Sequence, residues 1–267
     1  VGGACGMAML FDSPVGGIIY MFEEITSASW PMETTMRAFA GTTVCAWLSR
    51  ALLGGFWGTS TKAFVVYEFT TQPDAWTWKD VPVFMVVAFL VGPVSAYHTK
   101  ACLRVALARQ NFMKKFDKYQ PGAKMVEAVI FIVFCAGTYT LVALLGKCFK
   151  LAQEEPVEFV RYNCPEGSYN PLASLLLTTS EGGVKRLFSR KNAHELHLCN
   201  EVLAFLAYGM LNVCLTGVPV PSGNFTGSML IGGMLGRIVG AGFRDYGVEG
   251  LAASGVYAML GSAGMLA

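Results

Sequence analysis

Residues 217–237 read GVPVPSGNFTGSMLIGGMLGR. Two prolines and a Ser-Gly pair break the apolar helix that precedes this stretch. A new helix then begins, and we expect it to start at membrane depth. Its first backbone N–H groups lack partners within the helix, and its dipole is positive at that end. The stretch therefore predicts an anion site built from the backbone amides of Asn224 and Phe225.

The same stretch continues into a row of glycines at Gly232, Gly236 and Gly240. Small residues let helices approach closely in lipid. A kinked packing helix is therefore the alternative to an anion site. We expect the glycines to form a helix–helix seam in either case.

The composition of the whole chain points to a membrane protein. Its 267 residues are 54% apolar and 14% charged, and the net charge is +2, whereas a typical soluble domain carries roughly 25% charged residues. These values exclude a disordered chain and disfavour a soluble globule or a nucleic-acid binder. The 30 glycines are typical of membrane helices. We therefore predict an all-α, polytopic membrane protein.

Several apolar stretches approach the roughly 20 residues that a transmembrane helix needs. They cover residues 36–57, 82–97, 125–146, 202–220 and 228–243, and the last is interrupted by Arg237. Shorter apolar pieces lie at 1–11, 14–22, 171–178 and 250–267. Transporters build ion sites from such broken helices, and the alternative is a bundle of core helices. Because the chain begins and ends inside apolar segments, we expect a fragment of a longer protein or an incomplete gene model.

Lysine and arginine near the spans predict the orientation. The loop 98–124 holds seven basic residues against one acidic residue, so we expect it to be cytoplasmic. Residues 57–82 and 147–170 hold more acidic than basic residues and are expected on the opposite side. Two membrane crossings separate Glu23 and Glu24 from this basic loop, so both glutamates are expected near the cytoplasmic face.

These two glutamates end an apolar helix whose start is marked by Pro14. An ionisable group in such a place is a functional candidate, because a carboxyl with apolar neighbours can exchange protons near neutral pH. The alternative is that both carboxylates lie in the interfacial region and are solvated.

Two further groups of residues could carry chemistry. His194, His197 and Cys199 allow a membrane-embedded metal enzyme, but the histidines are three residues apart and the zinc protease motif needs four. A polar loop fits them better, and we predict neither a metal, a cofactor nor an enzyme. Cys148 and Cys164 flank the predicted non-cytoplasmic loop, so a disulfide between them is a candidate.

Three segments resemble the CLC family of chloride channels and chloride/proton antiporters. GMAMLFDSPVGGIIYMFEE at 6–24 resembles the family's A-x-x-F-x-A-P-[LV]-[AG]-G-x-L-F-x-x-E-E segment. VPSGNF at 220–225, with IGGMLGRIVG at 231–240, resembles the G-x-F-x-P anion-binding segment and its helix. YNCPEGSYN at 162–170, followed by LLLTT at 175–179, resembles the plant vacuolar and animal lysosomal branch. The order and spacing of these segments agree along the whole chain.

The resemblance implies part of a helical fold of two inverted repeats, normally a homodimer with one pore per subunit. Residues 1–57 would form the end of the first half, and 82–267 most of the second. Residues 147–170 would form a non-cytoplasmic loop. The family's serine segment, gating-glutamate segment and late tyrosine lie outside this chain.

The resemblance also implies roles for single residues. Glu24 matches the internal proton-transfer glutamate of the antiporters, where pure channels usually carry an apolar residue. Glu23 matches a structural carboxylate. Gly223, Asn224 and Phe225 match the segment whose backbone amides hold the central anion. Gly227 stands where the family has proline, which predicts a looser helix start.

The expected function is therefore the exchange of chloride, or another small anion, for protons across a membrane. The expected partners are a second copy of the chain and the lipid bilayer, with no nucleic acid. The branch resemblance favours an intracellular membrane of the vacuolar or lysosomal type. A passive chloride channel and a non-transporting remnant are the alternatives.

Overall fold

The computed structural model describes residues 1–11, 13–25, 31–56, 76–115, 120–150, 159–189, 196–220, 222–247 and 250–266. They belong to two compact units, Val1–Tyr67 and Glu68–Ala267. Nearly all of the described secondary structure is helical, which confirms the predicted all-α class.

The first unit contains α1 (Gly2–Phe11), α2 (Pro14–Tyr20), a π-helical turn (Met21–Ile25) and α3 (Met32–Phe56). The helix start predicted at Pro14 is confirmed. Ser13 caps this helix, and its hydroxyl accepts a hydrogen bond from the Gly16 amide at 3.1 Å. Helices α1 and α2 pack closely, because a Cβ on Gly17 would lie 2.5 Å from the Ala4 carbonyl oxygen.

The second unit contains seven described helices and one short pair of strands. In chain order they are α4 (Asp80–Met113), α5 (Gln120–Leu144), β1 (Phe149–Lys150), β2 (Ser168–Tyr169), α6 (Pro171–Leu176), α7 (Ser180–Phe188), α8 (Leu198–Leu215), α9 (Asn224–Asp245) and α10 (Ser254–Leu266). Buried side chains of α4, α9 and α10 form the core, which includes Val87, Val91, Ile231 and Tyr257.

Helix α4 is longer than the sequence pattern suggests. Residues 98–113, predicted as part of a basic loop, are instead the second half of a 34-residue helix. The charge pattern reports which side of a membrane a stretch faces, and it carries no information about backbone conformation. At about 1.5 Å per residue such a helix extends roughly 50 Å, beyond a hydrocarbon core of about 30 Å. The orientation of this basic stretch stays a prediction.

Three of the described helices are long and apolar enough to cross a membrane: Asp80–Met113, Pro121–Leu144 and Leu198–Leu215. They overlap the spans predicted at 82–97, 125–146 and 202–220. The other two predicted spans, 36–57 and 228–243, coincide with α3 and α9, which are not among these three helices. In α9 the glycines and Arg237 lower the hydropathy, and nine of its 22 residues are buried, Arg237 among them.

Helices α9 and α10 meet along the predicted glycine seam. A Cβ on Gly236 would lie 2.0 Å from the Tyr257 carbonyl oxygen, and one on Gly232 would lie 2.3 Å from the Gly261 carbonyl oxygen. From the other side, a Cβ on Gly261 would lie 2.2 Å from the Gly232 carbonyl oxygen. The two backbones therefore touch with no side chain between them, and the seam is confirmed.

We expect Gly236→Ala to force α9 and α10 apart. Overpacking of this kind lowers the free energy of unfolding by about 1–3 kcal/mol. The added methyl group would meet backbone atoms, which move aside less readily than side chains do. Thermal unfolding of the purified full-length protein in detergent measures the effect. The matched control is Gly242→Ala on the same helix, where an added Cβ would meet nothing within 4 Å. Equal melting temperatures for the two variants would contradict the prediction.

The start of α4 is anchored by a buried carboxylate. Asp80 accepts hydrogen bonds from the backbone amides of Thr77 at 2.6 Å and Ala252 at 2.8 Å. The Tyr257 hydroxyl donates to the same carboxylate. Asp80 therefore ties the first turn of α4 to the segment that leads into α10.

A disulfide joins Cys148 to Cys164, with their Cα atoms 5.6 Å apart. This is the pair that the sequence offers as a candidate. Strands β1 and β2 pair in antiparallel fashion beside it, with Phe149 opposite Tyr169. The disulfide and the strand pair together close the base of the loop between α5 and α6.

Candidate functional site

Helix α9 begins at Asn224, as the sequence predicts. Gly223 is the N-cap residue, with extended backbone angles of φ −112° and ψ 135°, and as a glycine it has no side chain with which to cap the helix. Gly223 and Asn224 are exposed, and Phe225 is half-buried. A helix start without a side-chain cap presents backbone N–H groups and a positive dipole end to a ligand. This geometry suits a small anion.

The chain turns sharply before it enters α9. Helix α8 ends at Leu215, five residues before the predicted end of its span at residue 220. Gly217 follows with φ +85°, a left-handed conformation that favours glycine. The local backbone thus ends α8 earlier than its apolar pattern suggests.

A half-buried network holds this end of α8. Arg109 of α4 donates hydrogen bonds to the carbonyl oxygens of Cys214 and Thr216, both at 2.9 Å. Its Nε atom lies 2.8 Å from the Glu127 carboxylate of α5. The sequence does not single out either charged residue as a site. The signal that could have found them is the rarity of charged residues in apolar helices.

A second ion pair lies deeper in the unit, between Glu201 on α8 and Arg237 on α9. The Arg237 Nε atom is 2.7 Å from a Glu201 carboxylate oxygen, and both side chains are at most 1% exposed. Arg237 also donates to the Leu187 carbonyl oxygen at 2.8 Å, at the end of α7. Arg237 therefore joins three helices. The sequence marks it only as an interruption of an apolar span.

Glu23 and Glu24 lie in the π-helical turn that follows α2. Such turns are rare and often occur at functional sites, and the sequence does not predict this one. The Glu23 side chain is exposed. The Glu24 side chain lies outside the described part of the structure.

The residues of the metal-enzyme alternative are not brought together as a described cluster. His194 lies outside the described residues, and Cys199 is exposed. His197 precedes α8, and its ring stacks on Phe149 with centroids 3.9 Å apart. Within the described ranges, no group of three or more His, Cys, Asp or Glu side chains could hold a metal ion.

Comparison with known proteins relates the whole chain to one family. The family model described as "Voltage gated chloride channel" matches residues 1–267. The chain is 27% identical to "Chloride channel protein CLC-d" of Arabidopsis thaliana, over 99% of this chain and 35% of that protein. It is also 27% identical to "H(+)/Cl(-) exchange transporter 7" of Homo sapiens, over 99% of this chain and 33% of that protein.

The chain therefore spans about a third of the length of the curated relatives it matches. The apolar helices agree with the family match, which covers residues 1–267 of this chain. Both agree with the three sequence segments that resemble the CLC family. On these grounds the chain is part of an integral membrane protein and belongs to the voltage gated chloride channel, or CLC, family.

Proposed function

We propose that this chain is part of an antiporter that exchanges chloride, or another small anion, for protons. The observation that carries the proposal is the start of α9, where the exposed residues Gly223 and Asn224 lie at the positive end of the helix dipole and the N-cap glycine has no side chain of its own to cap the helix. Gly223, Asn224 and Phe225 are the proposed anion-binding residues. Weak neutral donors suit transport, because the anion must also leave.

The proton half of the proposal rests on Glu24. A carboxyl at this position can bind and release protons, whereas a passive channel needs no titratable group there. We assign proton transfer to Glu24 and a structural role to Glu23. A human relative is named as an H(+)/Cl(-) exchange transporter, which supports exchange.

Three further points belong to the same proposal. The family resemblance supports a homodimer, in which each subunit has its own pore. The resemblance to the vacuolar and lysosomal branch supports an intracellular membrane. The names of the plant relatives, "Chloride channel protein", keep a passive channel as the second candidate.

The test uses the full-length protein in liposomes with an imposed chloride gradient. A pH-sensitive dye reports proton movement, and a chloride electrode reports anion release. Uphill proton movement driven by chloride is expected. Chloride movement without proton movement would favour the channel, and the absence of both would favour the non-transporting alternative.

A further inference from the structure

A polar contact joins α4 to α8 in mostly apolar surroundings. His98 Nε2 lies 3.1 Å from Asn212 Oδ1, and Asn212 is only 5% exposed. Because an amide oxygen only accepts hydrogen bonds, Nε2 must carry the hydrogen and donate it. A cavity of about 510 Å³ on this side of His98 is lined by apolar groups such as Val94 and Phe205.

The other end of the Asn212 amide lies against α9. A Cβ built on Gly227 would stand 2.2 Å from Asn212 Nδ2, far inside any real contact. The amide thus occupies the space that a side chain at position 227 would need. A side chain at position 227 would therefore require the Asn212 amide to shift from its place beside His98.

Gly227 lies at a sensitive place in α9. It is the fourth residue of the helix, and it is buried. In an α-helix, this is the first position whose N–H group bonds to the N-cap carbonyl and closes the first turn. Asn224 and Phe225 belong to that turn. A shift of the backbone at Gly227 therefore changes the direction in which their N–H groups point.

We propose that Asn212, oriented by His98, is a positioning residue for the anion-binding turn of α9. The inference rests on the proposed function, because it needs an anion at this turn. Glycine at position 227 loosens the helix start, and the packed amide restricts it again. Binding groups held in place by packed and hydrogen-bonded neighbours lose less freedom when a ligand binds.

The first experiment measures chloride affinity of the full-length protein. Isothermal titration calorimetry in detergent gives the dissociation constant, and liposome flux gives the half-saturating chloride concentration. Asn212→Leu keeps the volume and removes the amide. We expect it to weaken chloride binding about fivefold, the factor that corresponds to one net hydrogen bond, with a smaller change in maximal flux. Asn200→Leu on the same helix is the matched control.

The second experiment tests the two contacts of Asn212, with His98 and with Gly227. His98→Gln retains a donor for the Asn212 oxygen and should keep the unmutated affinity, whereas His98→Phe should reproduce the loss in Asn212→Leu. Gly227→Ala should weaken chloride binding strongly in the unmutated background and far less in the Asn212→Ala background, where the added Cβ has space.

The outcomes separate this inference from the proposed function. If the unmutated protein neither binds nor transports chloride, the proposed function fails. If it does both, and Asn212→Leu or His98→Phe leaves affinity unchanged, only the positioning role is overturned. Additive effects of Gly227→Ala and Asn212→Ala would overturn it as well. If Asn212→Leu fails to fold, the double variant Gly227→Ala/Asn212→Ala still tests the positioning role.

Discussion

Replacing Glu24 with glutamine in the full-length protein is expected to abolish proton transport while chloride transport continues. Glutamine keeps the size and polarity of the side chain, but it cannot bind and release a proton near neutral pH. In an antiporter whose protons pass through this carboxyl, chloride-driven uphill proton movement should fall to the level of empty liposomes. Chloride release from the same liposomes should persist.

Glu23→Gln is the matched control, because it makes the same chemical change one residue earlier. It should leave proton movement intact if Glu23 is a structural carboxylate. Glu24→Asp, which retains a carboxyl on a shorter side chain, should keep part of the proton flux. Uphill proton transport at the unmutated rate in Glu24→Gln would remove Glu24 from the proton path.

Replacing Glu201 with leucine is expected to destabilise the second unit severely. The substitution leaves the Arg237 guanidinium buried, at 1% exposure, without its carboxylate. Removing one partner of a buried ion pair lowers stability by about 3–5 kcal/mol. Both side chains are at most 1% exposed, so water has little access to replace the lost partner. The melting temperature of the purified protein should therefore fall by several degrees or more.

The double variant Glu201→Leu/Arg237→Met sharpens this test. Replacing a whole buried pair by apolar side chains is often neutral, so the double variant should melt well above Glu201→Leu. It still loses the Arg237 hydrogen bond to the Leu187 carbonyl. Glu33→Leu is the control, since Glu33 and Arg37 form an ion pair with both side chains more than 70% exposed, and exposed pairs contribute little. A double variant no more stable than Glu201→Leu would contradict the prediction.

Local sequence signals predict the start of α9 and its seam correctly. Pro219, Pro221 and Gly223 lie close together in the sequence, and such a cluster disfavours a continuous helix because proline restricts the backbone and glycine frees it. Glycines four residues apart lie on one helix face, so Gly232 and Gly236 predict a close contact with another helix. Their spacing does not identify that helix. The structure then supplies the partner, α10.

Contacts between residues far apart in the chain could not be predicted from one sequence. Asp80 and Tyr257 are 177 positions apart, and His98 and Asn212 are 114 apart. Nothing in the local pattern of either helix identifies its partner, because pairing depends on how the helices pack. The length of α4 escaped prediction for another reason: basic residues such as Arg104 and Lys100 are good helix formers, and charge alone does not end a helix.

The backbone contact between α9 and α10 has a mechanical consequence. Helices that pack through side chains can slide or rotate by changing rotamers, but Gly236 and Gly261 have none to change. The pair is therefore expected to move as one rigid body, so that any movement of α9 at the proposed anion site carries α10 with it. A spectroscopic label on the outer face of α10, at the exposed residues Met259 or Leu260, would then report the motion of α9.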